Sequence, residues 1–241
     1  TLLVPFDSGE KASEAVSAIF REGITPSALE FIERDAIDWT LKYTDIEMQI
    51  AENIQAHLLV EVDGNDMDLL YKDCKQIAEV MQEYECGEIL LADSEIQKNQ
   101  LWKLRRAVGE AVKVNSIYKE EDTVVPRAEL AKLLKGVKDI GKEYGFQSVC
   151  YGHAGDGNLH INIIKGDMPD EDWSNKLTHG IKEIFELTKS LRGTISGEHG
   201  IGLVQKEYMN IVLSEKNIEI QKGIKKLFDP NEILNPGKIF N

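Results

Sequence analysis

The chain has 241 residues, of which 42% are hydrophobic, and can therefore bury a substantial core in one large domain or two small ones. Asp and Glu number 42 against 28 Lys and Arg, and the net charge of −14 argues against nucleic acid as a partner because it repels phosphate backbones. No apolar run approaches the roughly 20 residues that span a bilayer, and no signal-peptide pattern opens the chain. We expect a cytoplasmic protein that reaches a membrane, if at all, through a partner.

Four strands and two helices are predicted in the first part of the chain. Strands are expected where short runs of apolar and β-branched residues occur, at 1–6, 27–34, 56–64 and 88–93. The first helix covers about 8–20, because Ser8 can cap it and an apolar stripe follows, and the second covers about 66–84. This order is that of the ferredoxin-like split βαβ motif, and a helix at about 96–114 follows it.

The order strand, helix, strand, strand, helix returns in the second part. Strands and helices are expected to alternate as strand 123–126, helix 127–144, strands 147–153 and 159–164, and helix 171–191. Helical stretches at about 203–211 and 214–228 then begin a tail that runs to residue 241. We expect an α+β fold of ferredoxin-like split βαβ units, with helices on one face of a mostly antiparallel sheet and a helical carboxy-terminal segment.

Two glycine-rich segments hold most of the residues that could carry chemistry. The segment "YGHAGDGNLHIN" predicts a hairpin that brings His153 and His160 together on neighbouring strands, with Asn162 on the same face as His160. The segment "GTISGEHGIG" adds Glu198 and His199 on a loop with little side-chain bulk. Two imidazoles and a carboxylate form the three-ligand set of a catalytic zinc-type site, so we predict a metal or substrate site here.

These features also have simpler interpretations. Asp, Gly and Asn dominate turns for backbone reasons, so "GDGN" is equally typical of a plain hairpin turn. His57 and His179 lie outside both segments and are interpreted as structural or surface residues, while spacing alone favours a surface ion pair between Arg105 and Glu110. The charged run 119–122 is interpreted as a solvated loop. "GEHGIG" lacks the strand-to-helix context of a dinucleotide fingerprint.

Five segments, in order along the chain, also resemble a known family. "LWKLRRAV", "DTVVPRAEL", the two glycine-rich segments and "DPNEILNPGKIF" resemble the carboxy-terminal half of the FAD-linked 2-hydroxyacid dehydrogenases. That family includes D-lactate dehydrogenases, the flavin subunit of glycolate oxidase and D-2-hydroxyglutarate dehydrogenase. The resemblance implies that residues 1–241 form a substrate- and metal-binding cap domain, inactive alone, and that the FAD-binding domain of the family is absent from this chain.

The resemblance implies a metal centre and a base. His153, His160 and Glu198 match the ligands of a divalent metal, for which zinc is expected and manganese or cobalt are the alternatives. His199 matches the general base proposed for the family. Such a centre suits the chemistry, because a 2-hydroxy acid can chelate a metal through its carboxylate and hydroxyl oxygens.

The resemblance also implies contacts with the substrate and the flavin. Arg105 matches the arginine that binds the substrate carboxylate, and Asn162 matches a second substrate contact. Asn235 and Lys238 in the tail would lie near the flavin. A planar guanidinium can bind a carboxylate through two parallel hydrogen bonds, which a lysine cannot reproduce.

The implied activity is oxidation of a small D-2-hydroxy acid to the 2-keto acid, with hydride transfer to FAD. The expected partners are the hydroxy acid, the FAD domain of the same protein and an electron-transfer subunit. Two alternatives stay open: a free-standing metallohydrolase that uses the same ligands, and a non-catalytic module that docks an electron-transfer partner. We also expect an exposed apolar patch around 193–202 and the tail, because a cap domain alone leaves its interface uncovered.

Overall fold

The structure, a computed structural model, describes residues 1–240. Its strands are β1 (Leu2–Phe6), β2 (Ala28–Glu33), β3 (Ala56–Glu61), β4 (Leu90–Leu91), β5 (Tyr118–Val124), β6 (Gln147–Gly152) and β7 (Asn158–Ile164). Its helices are α1 (Gly9–Arg21), α2 (Arg34–Tyr43), α3 (Met67–Glu83), α4 (Glu95–Asn115), α5 (Leu130–Tyr144), α6 (Asp170–Ser190), α7 (Met209–Val212) and α8 (Glu215–Phe228).

The seven strands form one sheet in the order β4-β1-β3-β2-β6-β7-β5. Every pair of neighbouring strands is antiparallel. The first four strands follow the ferredoxin-like order 4-1-3-2, and β5, β7 and β6 repeat its 1-3-2 part, so two split βαβ units share the sheet. They join at a short seam between β2 and β6, where Phe31 pairs with Gly152 and Ile32 with Tyr151. The predicted α+β fold is confirmed.

The two faces of the sheet are covered differently. On one face, α1, α3, α5 and α6 pack over the main core, to which they contribute Val16, Ile77, Leu133 and Phe185. On the other face, α2 and α4 pack over a smaller cluster around Ile32 and Tyr151. Helices therefore cover both faces of the sheet, and the prediction of helices on one face only is wrong.

Three local predictions differ from the structure. The charged run 119–122 is not a solvated loop but most of strand β5, where Glu121 and Asp122 are each only 1% exposed. Helix α2 was not predicted, and its first residue follows Glu33, whose side chain makes no capping hydrogen bond. The helix predicted at 203–211 is reduced to a 3₁₀ turn and the short α7, Met209–Val212.

The carboxy-terminal segment is exposed. No residue of α8 is buried. Large apolar side chains stand in solvent on this helix, on the tail and after the glycine-rich loop, as expected for this part of the chain: Leu203, Val204, Ile220, Ile224, Leu227, Phe228, Ile233 and Leu234. Within residues 1–240, none of the helices combines the length and the apolar character that crossing a bilayer requires.

Candidate metal and substrate site

The predicted hairpin forms between β6 and β7, and its turn places the two histidines. His153 follows β6, and its carbonyl oxygen accepts hydrogen bonds from the N–H groups of Asp156 and Asn158. Gly157 completes the turn with φ +74°, and a Cβ there would lie 2.0 Å from the carbonyl oxygen of Val125. Only glycine combines that backbone angle with that close approach. The turn therefore satisfies backbone hydrogen bonds and also positions the two imidazole rings.

The side chains of His153, His160 and Glu198 converge on one point. Glu198 Oε1 lies 3.3 Å from His160 Nε2 and 3.7 Å from His153 Nε2. Tetrahedral zinc, with bonds of about 2.1 Å, holds its ligand atoms about 3.4 Å apart, so this donor set fits such an ion in both chemistry and spacing. His160 is buried, whereas the Glu198 side chain is 52% exposed, which leaves one side of the cluster open to a substrate.

Asp122 holds the loop that carries Glu198 and His199. Its Oδ2 atom accepts hydrogen bonds from the backbone N–H groups of Gly197 (3.0 Å), Glu198 (2.7 Å) and His199 (2.9 Å). Burial alone would raise the pKa of Asp122, but these bonds and one from Asn158 lower it overall. The ionised Asp122 carboxylate therefore fixes the loop through the backbone N–H groups of three consecutive residues.

His160 is the most enclosed member of the cluster. Burial lowers the pKa of His160 to about 4, so its ring is neutral at physiological pH and can act as a ligand. Its buried Nδ1 atom makes no hydrogen bond and lies 3.5 Å from Glu120 Oε1. Burial also raises the pKa of Glu120. Glu120 and His199 form a second potential ligand group with His160, so the described residues offer alternative donors around one ring.

Glu30 on β2 joins the cluster from the first unit of the fold. Its Oε1 atom lies 2.8 Å from His153 Nδ1, and its Oε2 atom accepts a hydrogen bond from Arg105 Nε (2.8 Å) and forms an ion pair with Nη2 (2.7 Å). The hydrogen bond to Glu30 raises the pKa of His153. Burial works against ionisation of Glu30, but the contacts with His153 and Arg105 outweigh it and lower the pKa of this carboxyl.

Arg105 lies at the site and not in the surface ion pair that spacing alone favoured. Glu110 pairs instead with Lys113, at 2.6 Å. The Arg105 guanidinium is nearly buried and stands 5.1 Å from the centre of the Tyr151 ring, which packs in turn against the ring of His160. A single residue thus reaches from α4 to the edge of the histidine cluster.

His199 and Asn162 flank His160. The rings of His199 and His160 stack with centroids 5.1 Å apart, and the half-exposed His199 ring faces the open side. Asn162 is 1% exposed, and its Nδ2 atom donates to the carbonyl oxygen of Val149 at 3.2 Å. His199 is accessible in this structure, whereas Asn162 is buried beneath the site with one donor already in use.

The tail returns toward the glycine-rich loop, because the backbone N–H of Ile239 donates to the carbonyl oxygen of Gly202 at 2.7 Å. Within the tail, Lys238 Nζ donates to Asn235 Oδ1 at 3.0 Å. Asn235 adopts a left-handed conformation with φ +48°. Both tail residues predicted to lie near a flavin are therefore on a segment tied to the loop of Glu198.

One known protein family matches almost the whole chain. The family described as FAD linked oxidases, C-terminal domain, matches residues 1–239. The chain belongs to this family. The FAD-linked oxidase domain is 34% identical over 244 residues to a D-lactate dehydrogenase of Anaerostipes hadrus, covering 99% of the domain and 51% of that protein. It is 32% identical over 241 residues to glycolate oxidase subunit GlcD of Bacillus subtilis (strain 168), covering 100% of the domain and 50% of that protein.

The fold is shared more widely than the sequence. A structure of p-cresol methylhydroxylase with substrate bound matches all of the FAD-linked oxidase domain and 52% of its own chain, with a TM-score of 0.63 and 14% identity. At that identity the match concerns the fold alone. The domain spans about half the length of the relatives that it matches.

Sequence reasoning missed two residues that organise the site of this FAD-linked oxidase domain. Glu30 lies in an apolar strand 123 positions from His153, and no local pattern connects the two. Asp122 lies in the charged run that was interpreted as a loop, 77 positions from His199. The only local signal was that each is a carboxylate inside or beside a predicted strand, where an acidic residue needs a partner.

Proposed function

We propose that this domain is the substrate- and metal-binding half of a flavin-dependent dehydrogenase that oxidises a small D-2-hydroxy acid to the 2-keto acid. The observation that carries the proposal is the convergence of His153, His160 and Glu198 beside His199, with Arg105 within reach of the same rings. The names of the relatives, D-lactate dehydrogenase and glycolate oxidase subunit, agree with a small 2-hydroxy acid as the substrate.

The three ligand side chains would hold a divalent cation, for which the nitrogen and carboxylate donors favour zinc, with manganese or cobalt as alternatives. Such an ion supplies Lewis-acid polarisation of a bound hydroxyl and lowers its pKa. The chain contributes rigidity to this centre, because the hairpin turn fixes the two histidines and Asp122 fixes the loop of Glu198.

The remaining side chains orient the substrate and move its proton. His199 is half-exposed at the open side and is the group proposed to accept the hydroxyl proton. The Nε side of Arg105 faces Glu30, and its free edge is proposed to bind the substrate carboxylate. Asn162, whose Nδ2 atom also donates to the carbonyl oxygen of Val149, is proposed as the second contact with the substrate.

A flavin is proposed as the hydride acceptor, since this is a domain of FAD-linked oxidases. We propose that it is bound mainly by a further part of the protein, of the size that the relatives have beyond the matched half. Asn235 and Lys238 are proposed to lie near it, and an electron-transfer subunit is the proposed next acceptor. The exposed apolar side chains around the tail suit an interface with such a part.

The proposal is tested by metal content and turnover. The native-length protein is purified without chelators or a histidine tag, together with His160→Ala and a control, His179→Ala, at an exposed histidine of α6. We expect near-stoichiometric zinc, manganese or cobalt in the wild type and the control, its loss in His160→Ala, and oxidation of lactate or glycolate only where metal is retained. Equal metal content in all three proteins, or hydroxy acid oxidation by metal-free protein, refutes the proposal. Ester or amide hydrolysis without flavin would favour a metallohydrolase.

A further inference from the structure

Glu30 is shared between two side chains to which different roles are proposed. Its side chain is 6% exposed, and each of its oxygen atoms has a different partner. Oε1 lies 2.8 Å from Nδ1 of His153, a proposed metal ligand, and Oε2 accepts a hydrogen bond from Nε of Arg105, the proposed carboxylate-binding residue, and forms an ion pair with its Nη2 atom. A single buried carboxylate therefore contacts both a proposed metal ligand and the proposed carboxylate-binding residue.

The contact with His153 decides which ring nitrogen carries the proton. An ionised carboxylate can only accept hydrogen bonds, so the neutral His153 ring must keep its proton on Nδ1. The lone pair of Nε2 then faces Glu198, 3.7 Å away, as a metal ligand requires. A carboxylate behind a ligating histidine fixes the tautomer and ring orientation and increases the basicity of the ligand.

The contact with Arg105 decides how that residue can meet a substrate. The Nε–H group donates to Glu30 and Nη2 lies 2.7 Å from the same oxygen, so the Nε side of the guanidinium faces Glu30 and the Nη1 end is left for another partner. A substrate carboxylate would therefore meet the guanidinium end-on, at its outer edge. The Tyr151 ring, 5.1 Å from the guanidinium carbon, supports this orientation from one side.

We infer that Glu30 is a positioning residue that ties His153 to Arg105, so that the metal ligand and the carboxylate-binding edge keep one fixed separation. This inference rests on the proposed function for what the two groups bind. The tie itself is a property of this chain, and it crosses the seam between the two units of the fold, because Glu30 and Arg105 belong to the first unit and His153 to the second.

The test uses four variants of the native-length protein. Glu30→Gln removes the charge of the shared carboxylate, and Arg105→Met removes one partner while leaving the contact with His153. The double variant Glu30→Gln/Arg105→Met leaves no unpaired buried charge and so keeps the test valid if Glu30→Gln alone fails to fold. Glu33→Gln is the matched control, because Glu33 is a buried carboxylate on the same strand whose partners are Lys138 and the backbone of Cys150.

The first readout is the tautomer of His153, measured by histidine nitrogen–proton correlation NMR in metal-free protein at a pH where the ring is neutral. We expect Nδ1–H in the wild type, Arg105→Met and Glu33→Gln, and a mixture of tautomers in both proteins that carry Glu30→Gln. A His153 ring that holds its proton on Nε2 in the wild type, or keeps Nδ1–H fully in the double variant, overturns the inference.

The second readout is zinc affinity, measured by competition with a chromophoric chelator. We expect affinity about 10–100-fold weaker with Glu30→Gln, by analogy with other carboxylates that support metal ligands, and unchanged with Glu33→Gln. A tautomer change without loss of zinc affinity also overturns the inference. If the wild type binds no zinc, the proposed metal centre is wrong, and the tautomer alone then decides whether Glu30 controls His153.

Discussion

Removing the Asp122 side chain is expected to release the loop that carries Glu198 and His199. This carboxylate accepts bonds from three backbone N–H groups of the loop, and its Oδ1 atom accepts a fourth, from Asn158 Nδ2 at 2.5 Å. Asp122→Ala therefore leaves several donors without an acceptor in a pocket where the side chain itself is 1% exposed. The loss concerns the loop first, because the β5–β7 ladder that contains residue 122 is held by backbone bonds.

The expected change in the free energy of unfolding follows from the strength of hydrogen bonds to a carboxylate. Hydrogen bonds to a charged group contribute about 1.5–3 kcal/mol each. The N–H of Gly197 also has a second acceptor, the carbonyl oxygen of Asp122, and the loop amides are only partly buried, so water can replace part of the loss. We expect Asp122→Ala to lower the free energy of unfolding by about 4 kcal/mol, and Asp122→Asn to lower it by roughly half as much, because an amide oxygen can still accept from the loop.

The assay is urea denaturation followed by circular dichroism, together with hydrogen exchange at the amides of Glu198 and His199. Asp45→Ala serves as the control, since Asp45 is an exposed acid paired with Lys103 and its removal should leave stability nearly unchanged. If Asp122→Ala costs less than about 1 kcal/mol and leaves exchange at both amides unchanged, the carboxylate does not hold the loop, and the reasoning fails.

Three further predictions concern other parts of the chain. A Cβ on Gly197 would lie 2.3 Å from Asn158 Nδ2, so Gly197→Ala should displace Glu198 and weaken zinc binding, measured by chelator competition. Gly223→Ala on α8 is the control and should leave zinc binding unchanged, because no atom lies within 4 Å of a Cβ there. Burial lowers the pKa of His57 to about 4, below its value in the unfolded chain, so the unfolded state binds more protons below pH 6.5 and stability falls as the pH falls. Burial lowers the pKa of His160 in the same way, so His57→Leu should reduce by about 2 kcal/mol, but not abolish, the loss of stability that urea titrations show between pH 7 and pH 5. The domain alone should self-associate through its exposed apolar tail, and Phe228→Glu should shift it toward the monomer in size-exclusion chromatography run at several concentrations; identical elution of both proteins would count against that surface.

Elements with a strong periodic pattern could be predicted from the sequence. Helix α4 begins at Glu95 after a capping box of Ser94 and Gln97 and ends at Asn115, close to the predicted 96–114. The paired strands around the hairpin turn were predicted for the same reason, since apolar runs flank a turn of glycine and asparagine. Local chemistry was sufficient in these segments.

The charged part of strand β5, before the strand predicted at 123–126, could not be predicted because its side chains are stabilised by distant parts of the chain. Glu121 is satisfied by Lys119 and by Gln205, which lies 84 positions away, and Asp122 by the glycine-rich loop. A run of charges suggests solvent when its partners are unknown. The candidate site could likewise be predicted only in part. The histidines and Glu198 lie in conspicuous motifs, whereas the contact of Glu30 with His153 depends on the pairing of β2 with β6, which no local pattern shows.

Residues of the candidate site come from both sides of the seam between β2 and β6. Four residues come after β6 in the chain: His153, His160, Glu198 and His199. Arg105 comes before β6 and reaches the site from α4. The proposed metal ligands thus all come from one side of the seam, whereas the proposed substrate contacts come from both sides, Arg105 from α4 and Asn162 from β7. A change in the packing across this short seam would therefore move Arg105 relative to the proposed metal ligands while the spacing of those ligands stays the same.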